Sequence, residues 1–257
     1  MTSAEEHQRQ ATRIILATIA PVGFALAGSG AIREHGLTHR PTHDVDLFTP
    51  AVPASVFRSA VEQTVTTLAE HGYTPELHRA GDQFARLLVA TRDGYLFEVD
   101  LGVDWRAHDP VWMDIGPVLA VADAVANKVC ALFSRAEPRD FLDVDAIRQT
   151  GIFSDSDLLT IAAEHDPGFD VAMFATQLGA ATRLTPEDVS EYRVSHGELN
   201  EVTRRFLAWR TELIKPSMGP EAPWEVNERI NPIPRHQQHD RHESIYRRPT
   251  QGPGISP

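Results

Sequence analysis

The chain contains one cysteine, Cys130, among its 257 residues, so an internal disulfide is excluded. A reducing cytoplasm is the compartment that this composition favours. Nowhere does the sequence hold an apolar run of the roughly 18 residues that a membrane-spanning helix needs. Its first ten residues are polar and partly acidic, which predicts no secretory signal. We therefore expect a cytoplasmic protein with no membrane partner.

Basic residues are in the minority, because 24 Lys and Arg stand against 36 Asp and Glu and leave a net charge of −12. Such a charge argues against broad, nonspecific binding to nucleic acid, although it allows a locally basic groove. Nine arginines are candidates for phosphate contacts, and for each one the ordinary interpretation is a solvated surface charge. They are Arg33, Arg40, Arg79, Arg86, Arg135, Arg139, Arg204, Arg205 and Arg210.

The first half of the chain alternates between strand-like and helix-like periodicity. Apolar spacing predicts helices at 4–19, 30–35 and 54–71. Strands are predicted at 24–27, 44–48, 73–79, 84–91 and 95–101, and Asp93-Gly94 between the last two is a hairpin signal. These patterns predict an α+β domain with a mixed sheet over residues 1–112.

The second half has helical periodicity and then loses it. Helices are predicted at 120–133, 138–150, 154–164, 170–180, 186–193 and 198–215, which together form a helical domain over 113–215. Residues 216–257 contain eight prolines and predict a flexible tail. Within it His236, His239 and His242 have the spacing of a transition-metal site, but solvated histidines are favoured because nothing around them provides a scaffold.

Two carboxylates and a Gly-Ser turn carry the first chemical signal. Alternate residues of a strand point the same way, so Asp44 and Asp46 lie on one face and Val45 on the other. Two like charges so close favour a cation between them, and Mg²⁺ (or Mn²⁺) is suited to carboxylate and phosphate oxygens. Gly28 and Ser29 lie where a strand meets a helix and offer backbone N–H groups and a hydroxyl to a phosphate. Together these residues predict a site for a nucleoside triphosphate.

A third carboxylate is predicted near the pair. The segment 96–101 alternates, which places Glu98 and Asp100 on one face and apolar residues on the other. A neighbouring strand would bring Asp100 close to Asp44 and Asp46 as a further metal ligand. The alternative, an ordinary half-exposed strand, stays open.

A lysine and two aspartates on consecutive predicted helices form the second signal. Lys128 lies in mid-helix among small and apolar residues, where it either extends to solvent, the favoured interpretation from the helix alone, or points into an anionic site. Asp140 and Asp143 share one helix face near the N-terminus. A helix hairpin would join Lys128 to Asp143, supplying a cation for the triphosphate and a further acid or base.

The order G-S, D-x-D, K-x-x-A-L and R-D-x-x-D over residues 24–150 resembles the AbiEii/AbiGii nucleotidyltransferase toxins, which include the MenT toxins. This resemblance implies a DNA polymerase β-type nucleotidyltransferase fold followed by a helical domain. It implies that Asp44 and Asp46 bind Mg²⁺ and that Lys128 contacts the nucleotide. The implied residues are, for catalysis, Asp44, Asp46, Lys128 and Asp143, and for nucleotide binding Gly28, Ser29, Lys128 and Arg139. Spacing leaves open whether Asp140 or Asp143 is the later essential acid.

Three functional hypotheses follow. The resemblance implies a toxin that transfers NMP from an NTP to a tRNA 3′ end, blocks translation and has a cognate antitoxin as partner. The acidic composition suits the alternative that a small molecule or a protein hydroxyl is the acceptor. A nucleotide-binding module without catalysis is the third hypothesis, and the intact set of Asp44, Asp46 and Lys128 argues against it. The sequence does not predict the oligomeric state.

Overall fold

The computed structural model describes residues 3–215, and its centre is one seven-stranded mixed sheet. The strand order is β3-β4-β5-β2-β1-β7-β6. The strands are β1 (Ala25–Leu26), β2 (Asp44–Thr49), β3 (Thr74–Ala80), β4 (Phe84–Ala90), β5 (Leu96–Val103), β6 (Val111–Met113) and β7 (Gly116–Val118).

Strand β2 lies in the middle of the sheet, parallel to β5 and antiparallel to β1. Its alternation sends Val45 and Leu47 into the core, where they are 3% and 0% exposed. Asp44 and Asp46 therefore point to the opposite face, as predicted. The register places Asp46 opposite Asp100 of β5, so three carboxylates arise on two adjacent strands.

Three helices belong to the first half of the chain: α1 (Ser3–Ile19), α2 (Gly28–Glu34) and α3 (Ala54–Glu70). Helices α1 and α3 pack on each other and on the sheet, burying Phe57 and Leu68 completely. Helix α2 packs on β2 and on the second half of the chain. The short helix α2 thus connects the sheet to the helical part of the molecule.

Five α-helices follow the sheet: α4 (Val121–Ser134), α5 (Pro138–Gln149), α6 (Asp155–His165), α7 (Val171–Leu178) and α8 (His196–Leu213). Val202, Phe206 and Trp209 of α8 lie on one face of the helix and are buried in the core. The Trp209 ring lies edge-on to Phe174 at 5.2 Å. Helix α4 contacts α2, α5 and α6, so it lies between the short helix α2 and the helical core. None of the helices within residues 3–215 has both the length and the apolar character needed to cross a bilayer.

Two elements of the structure differ from the sequence prediction. Strands β6 and β7 are each three residues long, too short for alternation to identify, and they carry the sheet to Val118. Residue 112, where the sequence predicts the end of the first domain, lies in β6, and the division into domains stays a prediction. Residues Glu187–Tyr192 form a 3₁₀ helix rather than the predicted α-helix. The predicted flexible tail and its His236, His239 and His242 lie outside the described residues.

Candidate active site

Asp44 is the more open carboxylate of the pair and is held by two donors. Its Oδ1 accepts a hydrogen bond from the Thr42 hydroxyl, and its Oδ2 lies 3.2 Å from Nη1 of Arg139. Burial opposes ionisation of Asp44, but the Thr42 hydroxyl and the Arg139 guanidinium favour the charged form, so the pKa is lowered. Asp44 is thus a carboxylate at neutral pH, with a basic partner from α5.

Asp46 has the opposite electrostatic environment. Burial, and then the negative charges of Asp44 and Asp100, raise its pKa to about 7, while Lys128 acts in the other direction. Two hard oxygen ligands that repel each other fit a divalent cation. Residues 3–215 contain no ready cluster of three or more metal-ligating side chains. The donor set matches the way Mg²⁺ is commonly held, by one or two carboxylates together with substrate phosphates.

Asp100 lies beside Asp46 but has a guanidinium partner. Nε and Nη2 of Arg86 donate to its two carboxylate oxygens at 2.7 and 2.6 Å, and Arg86 also pairs with Glu98. The predicted nearness to Asp46 is therefore present. A metal at Asp100 would have to compete with this bidentate pair, so its role as a ligand stays a prediction.

Gly28 begins α2 in direct contact with Asp46. Its φ is +57°, a conformation that glycine adopts without steric cost. A Cβ atom built at this position would lie 1.8 Å from Oδ2 of Asp46. The absence of a side chain therefore lets the helix terminus and the carboxylate meet.

Lys128 is buried and bonded inside the site. It is 6% exposed, and its Nζ lies 2.9 Å from Oγ of Ser29 and 3.1 Å from Oδ2 of Asp143. The predicted helix hairpin of α4 and α5 makes the second contact. The solvent-directed interpretation favoured for Lys128 from its helix alone is wrong, because the helix faces α2 and α5 rather than water.

Asp143, and not Asp140, joins this cluster. It is fully buried and accepts hydrogen bonds from Ser29 Oγ at 2.9 Å and from Nε and Nη2 of Arg40, both at 2.9 Å. Asp140 instead closes the N-terminal capping box of α5 and pairs with Arg135. Sequence reasoning placed Arg40 only among possible phosphate contacts, and its position 103 residues before Asp143 gave no signal for this pair.

The Asp143 cluster predicts a specific acid dependence of stability. Burial raises the pKa of Asp143, but Lys128 and Arg40 outweigh it and lower the pKa to about 2. Because this folded-state pKa is depressed, the stabilisation is complete above about pH 4 and is lost as the pH falls towards 2. We expect the unfolding free energies of wild type and Asp143→Asn to differ by about 1 kcal/mol less at pH 3 than at pH 7. Denaturant titrations at the two pH values measure this, and a pH-independent difference would contradict it.

Most of the candidate phosphate-binding arginines are paired with carboxylates. Six of the nine form ion pairs within residues 3–215, which offsets much of their charge. The pairs are Arg40–Asp143, Arg86–Asp100, Arg135–Asp140, Arg139–Asp44, Arg204–Glu201 and Arg205–Asp145.

Two cavities border the carboxylate pair. A cavity of about 410 Å³ has Gly28, Asp46 and Lys128 in its lining. A second cavity of about 300 Å³ is lined by Asp44 and Arg139, among others. The site therefore has room for two ligands, one next to each carboxylate.

Comparison with known protein families identifies the chain as a nucleotidyltransferase. The sequence profile described as "Nucleotidyl transferase AbiEii toxin, Type IV TA system" matches residues 20–232. The MenT4 nucleotidyltransferase toxin of Mycobacterium tuberculosis is similar over 90% of this chain and 89% of its own, with a TM-score of 0.53 and 15% identity. JHP933 of Helicobacter pylori is similar over 83% of this chain and 93% of its own, with a TM-score of 0.49 and 18% identity. No curated protein gave a significant match.

The likeness to MenT4 confirms the predicted α+β fold, a mixed sheet followed by helices as in nucleotidyltransferase structures. The profile match extends over most of the chain and includes the Gly-Ser turn, the carboxylate pair and the α4–α5 hairpin. The chain belongs to the AbiEii family, the nucleotidyltransferase toxins of type IV toxin–antitoxin systems.

Proposed function

We propose that this nucleotidyltransferase is Mg²⁺-dependent and transfers NMP from an NTP to the 3′ end of tRNA in the cytoplasm. The observation that carries the proposal is the convergence of Asp44, Asp46 and the Lys128–Asp143 pair from separate parts of the chain. Family membership implies an NTP substrate and a cognate antitoxin. A transferred nucleotide at the tRNA 3′ end would prevent aminoacylation and so stop translation.

Asp44 and Asp46 would hold the divalent cation, with Asp100 as a further ligand if Arg86 releases it. When bound, the cation neutralises charge on the phosphate oxygens as the bond to pyrophosphate breaks. The raised pKa of Asp46 supports this assignment. It reflects the cost of a buried negative charge beside other carboxylates, and a bound cation would offset that cost.

Lys128 would donate to the phosphates of the nucleotide. Its ammonium group is already desolvated and held beside Ser29 at the start of α2, so little rearrangement is needed to bind an anion. Asp143 acts through Lys128 and Arg40, whose charges it offsets and orients. With a pKa of about 2 it is a poor proton acceptor at neutral pH, which favours a positioning role over the acid–base role.

The smaller cavity beside Asp44 would serve the acceptor side. The acceptor hydroxyl would lose its proton to water as its oxygen forms the new bond to the α-phosphorus and the bond from that phosphorus to pyrophosphate breaks. Positioning of the two reactants supplies much of the rate. Arg139, a third exposed in its side chain, can exchange Asp44 for an incoming phosphate.

The test is transfer of label from each α-³²P-NTP to total tRNA with Mg²⁺, with Mn²⁺ and with excess chelator. We expect labelled tRNA with either metal and none with the chelator. The Asp44→Ala variant is the control for the site. Absence of label on any RNA would disprove the tRNA acceptor, and equal labelling by Asp44→Ala would disprove the site.

A second acceptor class has one observation in its favour. The ion pairing of six candidate arginines leaves less positive charge for an RNA backbone than their number suggests. A small molecule or a protein hydroxyl needs no extended basic surface. Label recovered on a small molecule or on protein, with tRNA unlabelled, would support this class.

A further inference from the structure

We propose that Gln8, on a helix that contributes no residue to the candidate active site, is a positioning residue for Asp44 and thereby sets the affinity of the site for its divalent cation. The proposal rests on the proposed function, since it concerns the cation that Asp44 and Asp46 would hold. Gln8 belongs to α1 and acts through Thr42, two positions before Asp44. These contacts link the first helix of the chain to the start of β2.

Gln8 is buried to a degree that is unusual for an amide side chain, with 1% of its surface exposed. Its Nε2 donates to the Thr42 carbonyl oxygen at 2.9 Å and to the Tyr95 hydroxyl oxygen at 3.3 Å. Because a carbonyl can only accept, the contact with Thr42 fixes which end of the amide faces the loop. Oε1 of Gln8 is buried and has no hydrogen-bond partner among the described residues. An unpaired buried acceptor costs stability, so the value of glutamine at this position lies in the bonds that it donates.

The loop between α2 and β2 depends on side-chain contacts for its position. Residues 38–42 lie in neither a helix nor a strand. Arg40 fixes one part of this loop against α5 through its bonds to Asp143, and Gln8 fixes the Thr42 carbonyl against α1. Only one residue separates Thr42 from Asp44, so the bond from Gln8 holds the backbone directly before the carboxylate pair.

Thr42 transmits this constraint to Asp44 through its hydroxyl group. It is 5% exposed, and its Oγ1 donates to Oδ1 of Asp44. A threonine side chain is stiff at χ1, so the position of its backbone determines where the hydroxyl points. Hydrogen bonds from outlying residues orient the carboxylates that bind metals, and loss of such a partner commonly weakens metal binding about 10- to 100-fold. Gln8 therefore acts on the cation through the orientation of Asp44.

The experiment measures binding of Mn²⁺ to the full chain by electron paramagnetic resonance, without nucleotide or acceptor. Gln8→Met keeps the length of the side chain and removes the donor, whereas Thr42→Val removes the hydroxyl and Thr42→Ser retains it. Gln177→Met is the matched control, because Nε2 of Gln177 also donates to a backbone carbonyl, that of Phe133 at 3.1 Å, but in the helical part of the molecule. Circular dichroism checks that each variant is folded. If Gln8→Met does not fold, Gln8→Asn, whose amide is too short to reach Thr42, replaces it.

We expect Gln8→Met to weaken Mn²⁺ binding about tenfold and Thr42→Val to weaken it about tenfold or more. Thr42→Ser and Gln177→Met should bind Mn²⁺ as wild type does. The double variant of Gln8→Met and Thr42→Val should bind no more weakly than Thr42→Val alone, because both substitutions act on the same carboxylate. In transfer assays Gln8→Met should need about tenfold more Mg²⁺ for its half-maximal rate, with the KM for NTP at saturating Mg²⁺ unchanged.

Two results would overturn the role of Gln8. One is a folded Gln8 variant with wild-type affinity for Mn²⁺, and the other is an equal loss of affinity in Gln177→Met. Additive losses in the double variant would overturn the path through Thr42. Absence of Mn²⁺ binding by wild type would instead disprove the metal site of the proposed function.

Discussion

Gly28→Ala is expected to reduce nucleotide transfer about a thousandfold, to the level of Asp46→Ala. A methyl group at this position overlaps Oδ2 of Asp46, where a built Cβ lies 1.8 Å away, and must displace the carboxylate. A displacement of about 1 Å at a catalytic group costs roughly a hundredfold in rate, and loss of the cation's charge stabilisation adds several kcal/mol to the barrier. Initial rates of label transfer at saturating NTP measure this loss.

The control for Gly28→Ala is Gly36→Ala. Gly36 also has a positive φ, +73°, but a Cβ there meets nothing within 4 Å. It therefore reproduces the backbone strain, about 1 kcal/mol, without the contact with a carboxylate. Gly36→Ala should lose some stability and keep its activity. If Gly28→Ala and Gly36→Ala retained similar activity, the close approach of Gly28 to Asp46 would have no catalytic importance.

Asp143→Ala is expected to have the largest effect on stability, about 3 to 5 kcal/mol. The substitution leaves the Arg40 guanidinium and the Lys128 ammonium without their shared carboxylate, and each side chain is only 8% exposed. For a chain of this size the loss lowers the melting temperature by roughly 10 °C. Thermal and denaturant unfolding of the purified variant measure the effect.

An exposed pair provides the comparison for Asp143→Ala. Asp82 and Arg58 are 68% and 56% exposed, so Asp82→Ala should cost about 1 kcal/mol or less. Adding Lys128→Met to Asp143→Ala removes one of the two stranded cations and should restore part of the lost stability. Equal effects of Asp143→Ala and Asp82→Ala would show that the buried cluster is not a determinant of folding.

Local patterns predicted where several of these side chains lie, and distance along the chain explains the contacts that they did not predict. Alternation in β2 sufficed to place Asp44 and Asp46 on one face, because side-chain direction in a strand depends only on the neighbouring residues. The direction of the Lys128 side chain was harder to predict, because a lysine at this helix position can face either water or a carboxylate. Which of the two it faces depends on Asp143, a residue of another helix. Helix α4 carries no local signal of what packs against it.

Other features depended on contacts between remote segments or on very short elements. The pairing of Arg40 with Asp143 joins a loop before β2 to α5, and no periodicity links the two. The bidentate bond from Arg86 to Asp100 needs the register of β4 against β5, which a sequence pattern leaves undetermined. Strands β6 and β7 are recognisable only through their pairing with each other and of β7 with β1. Tertiary structure supplies this information.

The ion pairs around the carboxylates have a thermodynamic consequence for how ligands assemble. Arg139 and Lys128 offset negative charge at Asp44 and Asp143 before any ligand arrives. A triphosphate that draws these cations toward itself leaves Asp44 less shielded, which strengthens its attraction for a divalent ion. Linkage is reciprocal, so the ion in turn tightens nucleotide affinity. In the proposed mechanism the two ligands would be coupled through shared counter-charges, and positive cooperativity between them would require no movement of the backbone.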